Sequence, residues 1–276
     1  MASTTPQGLS IRPRHLAFAL PDPLPRHWHG GDAFKTHLFD AMSVLFPDGE
    51  RFFIDSVRQF REAIEDPVLK EQIRGFIGQE GHHSREHLAY SQRLRDLGYD
   101  IQPMEERARR RIRFTQTKLS PHRQLAATVA LEHLTAIMAD GLLKNPRHLQ
   151  GAHPELVRLW RWHALEETEH KAVAFDVYTQ VGGDPAMLRR AMLMASWFFM
   201  RDTLRGLVHM LRRDGLLWKP RIWRDGLRWM WGRGGFFRSL IGAYLDFFKA
   251  GFHPWQHDNL DLLERTRREF DQGAAA

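Results

Sequence analysis

Histidine and glutamate residues recur at helical spacing in the segment WHALEETEHKAVAFDVY, residues 162–178. Glu167 and His170 are three residues apart, so both project from one face of a helix, and His163 lies one turn before Glu167. Carboxylate oxygens mixed with imidazole nitrogens are ligands that suit iron or manganese, and zinc also accepts them. The segment therefore predicts one half of a metal site.

An earlier segment, QEGHHSREH, repeats this pattern. Glu80 and His83 are three residues apart, and His87 follows one further turn along the chain. Some four-helix bundles hold two metal ions with two such Glu-x-x-His pairs and one further glutamate from each of the other two helices. We therefore expect two more glutamates to complete the site.

Helix geometry selects the first of these glutamates. The first two helices should form a hairpin that turns near Asp66, and Glu80 lies 14 residues after this turn. Glu50 lies 16 residues before the turn, whereas Glu62 lies only 4 before it. At the rise of an α-helix, Glu62 would be displaced by roughly 15 Å from the height of Glu80. Glu50 is therefore the predicted partner of Glu80.

The second hairpin follows the same rule. It turns between Asn145 and Pro154, and Glu132 and Glu167 each lie 13 residues from that turn. The predicted ligands of two iron ions, with manganese or zinc as alternatives, are Glu50, Glu80, His83, Glu132, Glu167 and His170. His163 is either a seventh ligand or an outer partner, and His87 is a candidate outer partner. Four carboxylates balance two divalent cations, which removes most of the cost of burying the ions.

The elements that position these side chains are helices. The chain has 276 residues, 43% of them hydrophobic, and no cysteine, which excludes disulfides, iron–sulfur clusters and thiolate zinc sites. Strand patterns are scarce, so we predict an all-α fold built around a ferritin-like four-helix bundle. Residues 1–33 form an N-terminal arm, residues 34–183 the metal-binding bundle, and residues 184–276 a helical C-terminal extension rich in aromatic residues and arginine.

Two helix boundaries are expected inside the bundle. Pro47 should interrupt the first helix, because proline lacks the N–H group that a helix interior requires. The fourth long helix should run without a break from Pro154 to Val181, where two glycines follow.

Positive charge is concentrated in the C-terminal extension. Residues 186–238 contain twelve Lys or Arg and three Asp, an excess of nine, whereas the whole chain carries +7. Three interpretations are open: packing on the bundle with the arginines solvated, contact with an anionic membrane surface, or nucleic-acid binding. Nucleic acid is the least favoured, because no recognised nucleic-acid motif accompanies the charge.

The N-terminal sequence lacks the apolar run of a secretory signal, and no window of about 18 residues is free of charge. We therefore expect a cytoplasmic protein, with peripheral contact at the inner face of the membrane as the alternative.

Six motifs resemble a bacterial family described as predicted metal-dependent hydrolases, which has a ferritin-like pattern. They are LPRHWHGGD, LFPDGERFFIDSVR, FIGQEGHHSREH, LEHLTA, WHALEETEHKAVAFDVY and FHPWQHDN, and they cover nearly the whole chain. The resemblance implies that Glu50 is the first ligand. The arrangement His163-x-x-x-Glu167-x-x-His170 is also similar to the di-iron arylamine N-oxygenases, which implies that His163 is a seventh ligand.

The function expected first is that of a di-iron, O2-dependent oxidoreductase. It would hydroxylate, desaturate or N-oxygenate a hydrophobic or aromatic small molecule, with O2 and an electron donor as its other partners. The second expectation is a metal-dependent hydrolase that uses a metal-activated water. The third is an iron-binding protein without catalysis.

Overall fold

The computed structural model describes residues 5–6 and 8–273. These residues form α-helices and short 3-10 helices without a β-strand, which confirms the predicted all-α class. The helices are α1 (Ala33–Arg58), α2 (Pro67–Asp96), α3 (Gln102–Lys118), α4 (Pro121–Lys144), α5 (Pro154–His170), α6 (Val173–Gln180), α7 (Pro185–Arg213), α8 (Pro220–Trp231), α9 (Phe236–Asp246) and α10 (Leu260–Gly273).

Local sequence signals place several of these helix starts. The Asp32 side chain accepts a hydrogen bond from the Lys35 backbone N–H at the start of α1, and Asp66 does the same for Val68 at the start of α2. Proline occupies the first turn of α2, α3, α4, α5, α7 and α8, where its missing N–H costs nothing.

Pro47 does not interrupt the first helix, so this expectation is wrong. It lies inside α1, which continues to Arg58. The helix packs along α2 and also against α7, so tertiary contacts hold its shape across the proline. The Ser84 hydroxyl on α2 donates a hydrogen bond to the Pro47 carbonyl oxygen at 3.0 Å.

The fourth long helix is also not continuous. It divides into α5 and α6 at Lys171 and Ala172, directly after His170. Both residues keep φ and ψ angles in the right-handed helical region. The helical spacing of apolar residues therefore continues across the break, and the sequence pattern does not indicate it. The Lys171 ammonium group donates to the His257 carbonyl oxygen and to the Asn259 side chain, 2.8 Å each, which joins the break to the C-terminal segment.

Two large apolar cores occupy opposite ends of the long helices and meet partway along them. Along α1, the first core ends at Phe46 and the second begins at Phe52. Along α2, α4 and α5 the change from one core to the other falls at residues 76–90, 130–137 and 160–173. The order of the two cores reverses between α1 and α2, and again between α4 and α5, as expected for antiparallel hairpins. All seven predicted ligands fall at this boundary.

The N-terminal arm follows α2 closely. A Cβ atom added to Gly75 would lie 2.3 Å from the Ile11 carbonyl oxygen, so this close approach requires glycine. Ile11, Leu20, Leu24 and Trp28 of the arm are buried. The arm is therefore part of the packed structure.

The C-terminal helices pack on the bundle. α7 contacts both α1 and α4, α9 contacts α4, and α10 contacts α5. One helix, α4, is long and apolar enough to cross a membrane, but 67% of its most apolar window is buried. That burial is expected of an interior helix.

Candidate metal centre

The seven predicted ligands converge on one buried region. Each is at most 4% exposed. They come from α1 (Glu50), α2 (Glu80 and His83), α4 (Glu132) and α5 (His163, Glu167 and His170). Their donor atoms form three overlapping groups, each with all atoms within 4.8 Å of one another: Glu50, His83 and His163; Glu80, His83 and Glu167; and Glu80, Glu132 and His170.

His170 marks one side of the centre. Its Nε2 atom lies 3.1 Å from Glu80 Oε1, 3.5 Å from Glu132 Oε2 and 3.6 Å from Glu167 Oε2. Donor atoms that share one ion, at about 2.1 Å each, lie roughly 3 to 4 Å apart. Glu80, Glu132 and His170, whose donor atoms are all mutually close, are therefore spaced as ligands of a single cation, and Glu167 lies beside them.

His83 marks the other side. Its Nδ1 atom lies 3.7 Å from Glu80 Oε1 and 3.8 Å from Glu167 Oε1. The His83 and His163 rings stack with centroids 4.1 Å apart, and both belong to the group that contains Glu50. Glu80 and Glu167 therefore each lie within 4 Å of both His83 and His170.

Unsatisfied polar atoms mark the centre. Both carboxylate oxygens of Glu50, Glu80 and Glu132 are buried without a hydrogen-bond partner, as are His83 Nδ1 and His170 Nε2. A buried carboxylate oxygen or ring nitrogen without a partner costs several kcal/mol unless a cation or proton compensates it. This donor set fits hard divalent metal ions.

Electrostatics leads to the same conclusion. Burial raises the pKa of Glu50 well above its ordinary value, and the charge of Glu80 raises it further. Burial also raises the pKa of Glu132 well above its ordinary value. Burial alone would raise the pKa of Glu167 as well, but the charge of His170 helps to hold it well below the usual range. Glu50 and Glu132 therefore favour the protonated form unless a nearby cation neutralises their charge.

The histidines at the centre have outer partners that the sequence did not reveal. His83 Nε2 lies 3.1 Å from Glu166 Oε2, and His170 Nδ1 lies 2.9 Å from the Gln79 amide oxygen. Gln79 in turn donates to Glu169 at 2.6 Å. The Gln79 hydrogen bond fixes the His170 ring and leaves its Nε2 atom free to bind metal, whereas Glu166 is a charged neighbour of His83 that does not meet hydrogen-bond geometry.

The charges of Glu166 and Glu169 are balanced by two arginines, Arg14 of the arm and Arg267 of α10. The Arg14 guanidinium donates to Glu169 Oε2 and Oε1 at 2.9 and 2.7 Å, and to Glu166 Oε1 at 3.3 Å. Buried glutamates in an otherwise apolar helix require cationic partners, but no local pattern in the sequence identifies Arg14 as one of them. The arm thus supports the metal-centre helix α5.

His163 joins the centre to an outer chain of hydrogen bonds. Its Nε2 atom lies 3.0 Å from Glu167 Oε1, and its Nδ1 atom lies 2.7 Å from His87 Nε2. His87 Nδ1 lies 2.8 Å from the Ser43 hydroxyl on α1. Within this series of hydrogen bonds, His87 contacts His163 and Ser43 and does not contact a carboxylate.

Aromatic rings enclose the centre. Trp162 packs edge-on against His83 and Phe76 against His170, with centroids 4.8 and 5.0 Å apart. A cavity of about 60 Å³ touches the centre, and its wall includes Glu50, His163 and Glu167 beside apolar residues. The surroundings exclude most water and leave room for a small reacting group.

A second set of histidine and carboxylate groups, here named the arm cluster, consists of His27, His37, Asp40 and Asp214. His27 Nε2 and His37 Nε2 lie 2.7 and 2.9 Å from the same oxygen of Asp214, and His37 Nδ1 lies 3.1 Å from Asp40. The other Asp214 oxygen accepts a hydrogen bond from Arg26 at 2.9 Å. Although three of its donor atoms are close enough to hold a cation, the cluster already supplies its own counter-charges.

An all-α protein with buried carboxylates and histidines in this arrangement is a candidate metalloprotein. The chain belongs to the family described as predicted metal-dependent hydrolases, whose model matches residues 12–258. No curated protein and no solved structure matches the chain.

Proposed function

We propose that this protein binds two iron ions and is an O2-dependent oxidoreductase that acts on a hydrophobic small molecule. The observation that carries the proposal is the set of unsatisfied carboxylate and imidazole atoms beside an apolar cavity. Two ferrous ions, when bound, supply electrons to O2 and so provide an oxidant.

The side chains have separate tasks in this proposal. Glu80 and Glu167 hold both ions, Glu50 and His83 complete one ligand set, and Glu132 and His170 complete the other. His163 contributes to the ligand set of Glu50 and His83. Four carboxylates and neutral imidazoles make the loaded centre nearly uncharged, which suits its burial.

The apolar walls of the small cavity favour oxidation over hydrolysis. Leu45, Phe53, Leu131, Leu134 and Phe199 line it beside the metal-binding side chains. They would hold an apolar C–H or aromatic group near the centre and exclude water that could intercept a reactive species.

Hydrolysis is the second candidate, and the family description favours it. Two divalent ions, when bound, lower the pKa of a water and polarise a carbonyl or phosphoryl oxygen. Iron binding without catalysis is the third candidate.

Metal analysis tests the centre itself. We expect two iron ions per chain in protein purified from iron-supplemented cells, and loss of metal in Glu80→Ala and in Glu167→Ala. Glu71→Ala is the matched control, because Glu71 lies on the same helix as Glu80 but is exposed. Full metal content in both ligand variants would contradict the proposed centre.

Oxygen uptake tests the reaction class. Protein loaded anaerobically with Fe(II) should consume O2 faster in the presence of a hydrophobic substrate, and zinc-loaded protein should not. Ester or phosphoester cleavage by zinc-loaded protein without O2 would favour hydrolysis. Iron oxidation that no substrate accelerates would favour the non-catalytic role.

We also propose that the exposed face of α7 contacts an anionic membrane. Leu193, Trp197, Met200 and Leu204 recur at helical spacing on this helix and are 57, 64, 40 and 51% exposed. The excess of nine positive charges in residues 186–238 complements anionic headgroups.

Vesicle flotation tests this contact. We expect the protein to float with anionic vesicles at low salt and to stay behind with neutral vesicles, and Trp197→Ala to weaken the binding. Val68→Ala is the control, because Val68 is 62% exposed on another helix. Failure to bind anionic vesicles, or binding to nucleic acid in their place, would reject the membrane proposal.

A further inference from the structure

A large cavity lies between α1, α3, α4 and α7. Its volume is about 700 Å³, within the range of about 300 to 1,000 Å³ that is typical of ligand pockets. Apolar side chains form most of its wall, among them Phe52, Ile112, Leu119, Met194 and Phe198. A cavity of this size and lining suits a long apolar chain.

One end of this cavity adjoins the metal centre. Leu45, Gly49, Leu131 and Phe199 line both the large cavity and the small cavity beside the centre. Gly49 directly precedes the proposed ligand Glu50, and Leu131 directly precedes Glu132. A chain that fills the large cavity would therefore end next to the metal centre.

The other end of the cavity carries positive charge. Arg123 and Arg190 belong to its wall and are exposed; Arg123 precedes Leu131 on α4 and Arg190 precedes Phe199 on α7 by two helical turns or more. Asp184 also lines the wall, but its carboxylate accepts hydrogen bonds from the first backbone N–H groups of α7. Neither Arg123 nor Arg190 forms an ion pair with an acidic group among the residues that the structure describes.

Further arginines surround Arg111. Burial lowers the pKa of Arg111, and the charges of Arg201, Arg205 and Arg107 lower it further, to about 10. Asp202 pairs with Arg111 and with Arg201, so a single carboxylate serves several guanidinium groups. This group lies beside Phe198 and is served by Asp202, so among the described residues Arg123 and Arg190 are the arginines of the cavity wall without a carboxylate partner.

We propose that the large cavity binds a long-chain fatty acid, with its carboxylate at Arg123 and Arg190 and the far end of its chain beside Gly49. The apolar wall matches the hydrocarbon chain, and the arginines match the acid group. That this ligand is the substrate rests on the function proposed above, whereas its binding does not.

Calorimetric titration tests the binding. We expect hexadecanoate to bind to the full-length protein at least about tenfold more tightly than hexadecanol, because charge-assisted hydrogen bonds hold only the acid. The double variant Arg123→Gln/Arg190→Gln should abolish this preference. Arg189→Gln is the matched control, because Arg189 is exposed on the same helix but does not line the cavity.

The orientation of the chain has its own test. A Cβ added to Gly49 meets nothing within 4 Å, so a side chain can start there, and the rest of the Gly49→Leu side chain would occupy space at the inner end of the cavity. It should weaken hexadecanoate binding about tenfold and octanoate binding much less, because the shorter chain does not reach it. Gly81→Leu is the control: Gly81 follows Glu80 on α2, is exposed, and also has open space.

Ala127→Leu repeats the test at a wall position away from the ligands. It should weaken hexadecanoate binding even if Gly49→Leu disturbs the metal centre. Equal binding of acid and alcohol to the wild type, or no binding of either, would overturn the proposal. Tighter binding of hexadecyl phosphate than of hexadecanoate would overturn the assignment of a carboxylate.

Metal analysis of the same samples separates the two proposals. Fatty-acid binding by protein that holds no metal would leave this inference intact and contradict the proposed function. Two metal ions in protein that binds no fatty acid would support the proposed metal centre and contradict the fatty-acid inference.

Discussion

The metal centre and the arm cluster contain the same types of side chain but differ in how their polar atoms are satisfied. Among the described residues, His27, His37, Asp40 and Asp214 have no buried side-chain nitrogen or oxygen without a partner, whereas the metal centre has many. The arm cluster also receives a cation of its own, from Arg26. Closeness of donor atoms therefore does not by itself indicate a metal site.

The two clusters also differ in what they join. The arm cluster connects the N-terminal arm to α1 and to the residue that ends α7, so it fixes the position of chain segments. The metal centre connects four helices through carboxylates, and those of Glu50, Glu80 and Glu132 have no hydrogen-bond partner. We conclude that the first is a structural network and that the second requires cations.

Removal of metal should give the largest difference between the clusters. A chelator should lower the stability of the wild type by about 4 kcal/mol for each ion that was present at a thousand times its dissociation constant. The chelator should lower the stability of Asp214→Asn by a similar amount, because the metal centre of this variant is intact. It should not change the stability of Glu80→Ala, because that variant holds no metal. Thermal unfolding with and without chelator measures this, and an unchanged midpoint after metal loss would contradict the proposed centre.

Asp214→Asn should give the next largest effect, by destabilising the protein by about 2 to 4 kcal/mol without reducing its metal content. Burial lowers the pKa of His37, but its hydrogen bonds and charge contacts with Asp40 and Asp214 outweigh burial and raise the pKa above 6.5. Burial raises the pKa of Asp214, but hydrogen bonds from His27, His37 and Tyr99 outweigh it and lower the pKa from 3.8 to about 2.

The signs of these two shifts define the pH window. The stabilisation from His37 is complete below pH 6.5 and is lost as the pH rises through its raised pKa. The stabilisation from Asp214 is complete above pH 3.8 and is lost as the pH falls through about 2. Urea unfolding should therefore show the greatest difference between wild type and Asp214→Asn between these limits. A difference that grows above pH 8 would contradict the assignment.

The outer partners should give the smallest effect. Gln79→Ala and Glu166→Gln should each weaken metal binding by about 10- to 100-fold while keeping the centre, because Gln79 orients His170 and Glu166 is a charged neighbour of His83. Asp40→Asn alters the corresponding outer partner of His37 and should leave metal affinity unchanged. Competitive titration with a metal indicator measures all three. An equal loss of affinity in Asp40→Asn would remove the distinction between the clusters.

Much of the centre was predictable because helices obey local rules. The spacing of Glu80 and His83, and of Glu167 and His170, places each pair on one face of a helix. Similar distances from the turns selected Glu50 and Glu132, and the structure brings both close to the Glu-x-x-His pairs. The wrong prediction at Pro47 did not affect the choice of Glu50, which was based on its distance from the turn, because α1 continues as a helix through the proline.

Other contacts were beyond the sequence because they join distant segments. Arg14 meets Glu166 and Glu169 across more than 150 residues, and Asp214 meets His27 across 187. No local period relates such positions. The break after His170 was hidden for another reason, since its backbone angles remain close to helical.

The sequence by itself determined the all-α class, the positions of most long helices and the side chains that face the centre, because helical period and hairpin length act over short stretches of chain. Only the tertiary structure decided which carboxylates lack partners, which histidines are already neutralised and where an apolar cavity meets a group of arginines. Those properties depend on burial and on the charges that surround each group. Both arise only when distant segments pack together.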